Sequence, residues 1–553
     1  MQQSLTPKLW TVWKEGYSLS TLRADTLAGL TIAIVALPLS MALAIASGAS
    51  PDKGLITAVI AGFLISALGG SRTQIGGPTG AFVVVVFQVI AQHGYDGLLL
   101  ATLMAGAILV AAGVLKLGRL IRFIPHPVVT GFTAGIAVTI ASSQVKDFLG
   151  LSMENVPAEF VPKWVAYWAD LGTTDMMTLA IGAGSFALII GLRRLAPKLP
   201  GFLIAIIAAS LAVSLLHLPV ATIGSRFPDI PSGLPLPSVP HISLEKLREV
   251  LPSAFTIAFL AGVEALLSAV VADGMTGTRH RSNQELVGQG IANIGSAFFG
   301  GLPATGAIAR TATNIRAGGR TPVAGMIHAL FILLFILFAT DLMAFVPMAA
   351  LAAILFMVAW GMSEIGRFIA LMKMANSDRA VLLLTFFLTV FVDLTVAIGV
   401  GVTVASLLFM ARMSETVEFG AGNAGAGEGD EDQAQRDDLP AGVEVFRING
   451  PLFFGVAGEL LDTLRRMGQM PRVIILRMRL MPLLDASGVA MIEEFVKQAE
   501  LSGTHLILSG VQPEPRAMLA RAGLTESHQR LSFVSGFAAA LELARGIVGE
   551  TRA

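Results

Sequence analysis

Apolar residues run in long blocks as far as residue 413, separated by short polar or basic connections. The blocks at 27–47, 98–115 and 323–339 are apolar at nearly every position, with no alternating polar face. A helix crosses a hydrocarbon core of ~30 Å with about 17–25 such residues. Fourteen segments of this kind begin near residues 26, 54, 79, 97, 124, 174, 201, 251, 287, 306, 322, 346, 379 and 397. An even number returns the chain to its starting side. The connection at 227–240 holds five prolines and reads as a rigid link, not a span. It separates two halves, 25–217 and 251–412, with seven segments each. Because seven is odd, the second half starts from the opposite face and is inverted relative to the first.

Beyond residue 413 the pattern changes. Residues 414–441, Gly-rich and acidic over 420–438, predict a flexible linker. Then VEVFRI (443–448) alternates like a strand, while VIILRM (473–478) and HLILSG (505–510) read as buried strands. Between the latter two, Val489, Ile492, Phe495 and Val496 share one helical face. Residues 442–553 therefore predict a soluble α/β domain with its own core. The first 24 residues are polar and lack the apolar core of a cleavable signal peptide, so the first span is expected to act as the insertion signal.

Composition agrees with a polytopic membrane protein. Mean hydropathy is +0.73 and charged residues are 14% of the chain, against roughly 25% in soluble domains. A multi-domain soluble enzyme is excluded on that density. Net charge is zero, so nucleic-acid binding has no support. The chain has no cysteine, which removes disulfides, thiolate metal sites and cysteine catalysis. His126, His217, His280 and His328 lack metal-ligand spacing, and no enzyme signature stands in a suitable context. Neither a metal, a cofactor nor an enzymatic activity is expected.

Lys and Arg gather in cytoplasmic loops. Connections assigned inside carry Lys116, Arg119 and Arg122; Arg193, Arg194 and Lys198; Arg279 and Arg281; Arg316 and Arg320; and Arg367, Lys373 and Arg379. Those assigned outside carry only Lys53, Lys163, Arg226, Lys246 and Arg248. Both termini are therefore expected in the cytoplasm.

A short polar phrase occurs twice within this apolar background: GGPTGAF at 76–82 and GGLPATGA at 300–307. Proline and glycine stop helices, so each phrase can begin a half-helix inside the membrane with free N–H groups at its tip. Paired broken helices in two halves point to a transporter's substrate site. The tips offer Thr79, Gly80 and Ala81 from one side and Thr305, Gly306 and Ala307 from the other. Two facing N-termini can hold an anion, although small residues also serve tight helix packing. Arg310 follows the second tip by one turn, and a buried arginine needs a partner: the substrate anion, a fixed carboxylate or a helix C-terminus. Glu264 is a carboxylate in the middle of the eighth span, with Ser268 one turn on. It fits an ion or proton pathway, or a structural salt bridge to Arg310. Facing helix ends of roughly +0.5 charge each, with one arginine, balance about two negative charges.

These motifs, with LPLSMALAIASG (37–48), NQELVGQGIANIGSAFFGG (283–301) and ARTATNIRAGG (309–319), resemble the sulfate permease (SulP) anion transporters, the solute-carrier group that includes prestin. The C-terminal part resembles a STAS domain, with DASG at 485–488 as its signature. The likeness is greatest to bacterial members that handle C4-dicarboxylates. It implies fourteen spans in a seven-plus-seven inverted repeat, with half-helices at spans 3 and 10. A core (spans 1–4 and 8–11) would slide against a gate (spans 5–7 and 12–14) in an elevator motion. It implies homodimers in the cell's inner (plasma) membrane with cytoplasmic STAS domains, which can meet a protein partner. By the resemblance, Leu39 and Leu43 face the substrate, and the Leu39 position is polar in many relatives, so an apolar wall here suits a substrate with carbon atoms. Glu264 and Ser268 occupy a position that resembles a sodium site, though glutamate is more readily neutralised by a proton. Ser487 matches a serine phosphorylated in anti-sigma antagonists and also stands where a helix cap is expected. The expected function is proton-coupled uptake of a small organic dianion. Sodium-coupled transport or exchange of bicarbonate, sulfate or chloride, and anion sensing through STAS, are the alternatives.

Overall fold

In the computed structural model the described residues are 5–119, 125–153, 156–157, 159–197, 199–228, 230–392, 394–415, 417–421, 439–454, 471–526 and 528–550. Arg122, Lys198 and linker residues 422–438 lie outside them. The chain divides into two units, Met1–Ala405 and Ser406–Ala553.

The first half of the membrane unit contains α1 (Lys8–Glu15), α2 (Leu19–Ala46), α3 (Pro51–Leu68), strand β1 (Gly76–Gly77), α4 (Val83–Val114), α5 (His126–Leu149), α6 (Phe160–Asp170), α7 (Met176–Leu195), α8 (Gly201–Leu215) and α9 (Ile223–Arg226). The second contains α10 (Leu244–Thr276), α11 (Ser282–Phe298), strand β2 (Thr305–Gly306), α12 (Ile308–Arg316), α13 (Pro322–Ala339), α14 (Met348–Met362), α15 (Ile365–Met372), α16 (Asn376–Phe391) and α17 (Leu394–Glu415). Among the described residues nine helical stretches are long and apolar enough to cross a membrane. The fourteen expected segments all fall on helices, two of them on α4. That helix breaks at Gly94, where φ is 71° and ψ 179°. Only glycine enters that region without a steric penalty, so the residue divides spans 3 and 4. At nine residues α12 is a true half-helix, covering about 13 Å of the membrane. Helices α1, α6, α9 and α15 were not anticipated by the hydropathy pattern.

The packing has an exchanged character. Span 4, the second part of α4, lies against α10 and α11; span 11, α13, lies against α2 and α3. The first two segments of each half thus cradle the fourth segment of the other. The polar contacts exchange likewise. Asp25, at the start of α2, accepts from Arg320 N at 2.8 Å and Thr321 N at 3.2 Å, capping the entry to α13. Asp96, at the start of span 4, accepts from His241 N at 3.2 Å and Lys246 Nζ at 2.9 Å, at the entry to α10. Two inverted copies produce this reciprocity. Helices α5, α7, α14 and α16 pack chiefly among themselves, as a second group.

The C-terminal unit has a five-stranded sheet ordered β3 (Glu418–Ala421), β4 (Val443–Asn449), β5 (Val473–Arg477), β6 (His505–Ser509) and β7 (Leu531–Val534). Strand β3 is antiparallel to β4 and the rest run parallel. The expected linker over 414–441 is therefore shorter than its composition suggests, because 418–421 joins the sheet. Parallel neighbours need crossovers; α18 (Ala486–Leu501) and α19 (Pro513–Arg521) supply two, and α20 (Phe537–Glu550) follows β7. Alternate residues of β5 face opposite ways: Ile474 and Leu476 pack with Val489, Ile492, Phe495 and Val496, while Val473 and Ile475 pack with Phe537 and Ala540.

Candidate functional site

The duplicated phrases meet. Strand β1 pairs antiparallel with β2, Gly76 opposite Gly306 and Gly77 opposite Thr305. The Ala307 N–H extends the crossing by donating to Ile75 O at 2.8 Å. Glycine is required here by close approach: a Cβ on Gly306 would collide with the Gln74 amide, and one on Gly77 with the Arg310 guanidinium. From the crossing the chains leave as helices. Gly80, Ala81 and Phe82 form a 3-10 turn that leads into α4, and Ala307 caps α12. The first helical bond of α12 runs from Thr311 N to Ala307 O, so the N–H groups of its first turn lie outside the ladder.

The charged residues flank this crossing. Thr79 Oγ1 donates to the half-buried Glu264 carboxylate at 2.9 Å. Arg310 is buried, and its Nη2 donates to Pro78 O at 2.9 Å and Ser40 Oγ at 3.4 Å. Its Nε and Nη1 have no partner among the described residues. Among the described residues no ion pair joins Arg310 to Glu264 in this structure. Ser268 does not bond Glu264; its hydroxyl lies 3.1 Å from Thr311 Oγ1, which in turn accepts from Ile75 N at 3.1 Å. Thr305 Oγ1 donates to Ala261 O at 2.8 Å and Gln74 Nε2 to Ala265 O at 3.0 Å, anchoring both strands on α10. The structure thus gathers both tips, a carboxylate and a cation with spare donors into one buried place.

Leu43 is buried and Leu39 half-buried on α2, but the α2 side chain that reaches Arg310 is Ser40, between them in sequence. Ser487 lies in the C-terminal unit. It is exposed and is not the helix cap: Asp485 caps α18, accepting from Gly488 N at 2.8 Å. An aspartate two residues earlier has the geometry to reach an N-terminal amide that Ser487, already inside the helix, cannot reach.

Several supporting residues escaped the sequence reading. Glu285 is fully buried and accepts from Gly70 N at 2.7 Å, Ser71 N at 3.0 Å and Gln289 Nε2 at 2.8 Å. Asn293 bonds Ala304 O at 2.8 Å and Ala304 N at 2.9 Å, fixing the approach to β2. Glu285, Gln289 and Asn293 recur every fourth residue, a polar stripe at helical spacing that could have been recognised. Gln74 and Asn314 gave no comparable signal.

Residues 22–385 match the model of the sulfate permease family, and residues 438–533 that of the STAS domain. The chain is 40% identical to YvdB of Bacillus subtilis over 513 residues, covering 92% of this chain and 95% of that one. It is 32% identical to the bicarbonate transporter BicA of Picosynechococcus over 473 residues, covering 81% of each. The solved structure of the murine SLC26A9 anion transporter, in its inward-facing state, superposes with a TM-score of 0.86 at 18% identity, over 98% of this chain and 94% of that one. At that identity the likeness speaks for the fold.

Proposed function

The chain belongs to the sulfate permease family of anion transporters, and we propose that it takes up a small organic dianion, such as a C4-dicarboxylate, together with protons. The observation that carries this reading is the meeting of both tips beside Arg310, whose Nε and Nη1 have no partner among the described residues. The positive ends of two helices and one guanidinium suit about two negative charges. Glu264, bonded to Thr79 of the opposite half, is the candidate proton carrier, because an intramembrane carboxylate bonded to the tip can neutralise as the anion arrives. Thr79, Gly80, Ala81, Thr305, Gly306 and Ala307 form the anion cradle, Leu39 and Leu43 its apolar wall, and Ser268 supports the coupling site.

The two packing groups described above are the candidate core and gate of an elevator. Gly80 faces the second group: a Cβ there would lie 2.5 Å from Met362 Sδ and 3.4 Å from Ile140 Cδ1. Sliding along that contact would carry the site between the faces of the plasma membrane. The functional unit is read as a homodimer with both termini in the cytoplasm, and Ser487 as an exposed position for regulation or a STAS partner.

A second reading, transport of sulfate or bicarbonate, is favoured by the family and by BicA. Proteoliposomes decide between them. Radiolabelled succinate should accumulate under an inward proton gradient more than sulfate or bicarbonate. Accumulation of either inorganic anion alone, driven by sodium, would replace the proposal. Binding without accumulation would favour the sensor.

A further inference from the structure

Eight of the thirteen buried side-chain polar atoms that lack a partner among the described residues lie in one region: Ser66 Oγ, Thr73 Oγ1, Gln74 Oε1, Nε and Nη1 of Arg310, Asn314 Oδ1, and Nδ1 and Nε2 of His328. All come from α3, the lead-in to β1, α12 and α13. Buried polar groups are normally satisfied, and those without protein partners are met by ordered water or a ligand. The gathering of so many in one region is a local property of this fold.

His328 stands at the centre. It is fully buried on α13. A Cβ on Gly62 would lie 3.9 Å from its Cε1 and 3.1 Å from Gly76 O, so the ring lies close to α3 and the root of β1. One turn earlier on α13, Gly325 abuts Ser66 Oγ. Just along the strand, Gly77 abuts the Arg310 guanidinium. His328 and Arg310 therefore approach β1 at adjacent residues, behind the crossing that forms the anion site.

We propose that His328 and Ser66 belong to a buried hydrated site behind Arg310, and that His328 takes up a proton when an anion occupies Arg310. Two cations so close in a low-dielectric interior oppose one another. A bound anion offsets the guanidinium charge and removes that opposition, so anion and proton each favour the other's binding. Neither imidazole nitrogen has a side-chain partner among the described residues, and the Gly325 backbone one turn back can accept from the ring, so the ring can gain its second N–H without breaking a side-chain hydrogen bond. Ser66, Thr73 and Asn314 would extend a file of polar groups along which water carries the proton.

Two carboxylates border this part of the core: Glu264 is bonded to Thr79 at the crossing, and Glu285 is held by Gly70 N, Ser71 N and Gln289 Nε2 at the end of α3. The elements packed on α13 are α2, α3, α1 and the 3-10 turn at 340–345. Their charged residues are Arg23 and Asp25; Asp52 and Lys53; Lys8, Lys14 and Glu15; and Asp341. Asp25 is already held by Arg320, Thr321 and Tyr17. Asp52 and Lys53 are at the other end of α3, about 14 Å along the helix from Gly62. The α1 residues precede the membrane span, and Asp341 follows α13. Of the charged groups, Arg310 is the one that meets β1 at Gly77, next to the residue that His328 approaches.

The inference rests on the proton-coupled reading above and deepens it. Proton uptake on adding sulfate or succinate to purified full-length protein can be measured calorimetrically in buffers of different ionisation enthalpy. His328→Gln should lose at least half of the wild-type uptake between pH 5.5 and 8, with high-pH affinity changed by less than about threefold, well under the tenfold per pKa unit of full coupling. Unchanged uptake in a variant with wild-type thermal unfolding overturns the proposal. If the variant does not fold, infrared difference spectra of wild-type protein with isotope-labelled histidine replace it. An imidazolium signal should appear on anion binding, and its absence overturns the proposal. Wild-type accumulation driven by a pH gradient without that signal sinks this inference and leaves the proposed function standing. Accumulation indifferent to the gradient sinks the function itself.

Discussion

Thr79 and Glu264, 185 positions apart, share a 2.9 Å hydrogen bond in which the hydroxyl donates to the carboxylate. The bond joins the tip of one half to the acid of the other, at the point where the anion is proposed to bind. A change in the charge of Glu264 is therefore felt directly at the tip.

Glu264→Gln tests that connection. The amide oxygen still accepts from Thr79, so shape and bonding persist while titration is removed. Succinate accumulation under a pH gradient should fall well below the wild-type level, while counterflow exchange continues. Full accumulation would make Glu264 structural.

Arg310 supplies the full positive charge. Arg310→Ala should weaken dianions by about 2–3 kcal/mol, the strength of charge-assisted bonds, and monoanions by less. Arg310→Lys should recover only part, because a point charge cannot reproduce the fork of donors. Calorimetric binding of succinate and chloride separates these outcomes, and equal losses for both would place the dianion elsewhere.

Gly306 is constrained by its neighbour. Gly306→Ala should cost about 1–3 kcal/mol of stability through overpacking, since its Cβ meets the Gln74 amide. Gln74→Ala in the same chain should restore much of that loss. Additive thermal-unfolding effects would show that the two side chains do not compete for this space.

In the C-terminal domain, burial and the nearby Arg530 charge hold the His505 imidazole below its usual value. Its Nε2 lies 2.9 Å from Ser532 Oγ. The native state thus binds fewer protons than the unfolded chain. The stabilisation is present above the unfolded pKa of about 6.5 and is lost as pH falls from there through the lower folded-state pKa. Urea melts of isolated residues 439–553 should show a midpoint that falls between about pH 7 and pH 5, and His505→Asn should flatten the fall. An equal slope in the variant would exclude His505 as the cause.

Orientation is open to labelling, because the chain has no cysteine. Cysteine at exposed Ser232 should react with external maleimide in intact cells, and cysteine at Ser502 should not. The reverse pattern would invert the topology.

The sequence by itself determined the membrane class, the fourteen segments, the two halves and the α/β domain, because hydropathy and strand alternation are local and repeated. It also exposed both tips, since a proline–glycine interruption in an apolar run has few other uses. Tertiary structure decided which donors meet which acceptors. Gln74 lies against Gly306 only because β1 and β2 cross, and Ser40 reaches Arg310 only because α2 packs on α12. The strand at 418–421 forms because its backbone completes a sheet edge, which four residues at the start of a glycine-rich, acidic stretch do not signal. His328 read as one of several scattered histidines. Its burial behind Arg310 follows from two inverted halves folding into each other, a long-range relation that no local spacing encodes.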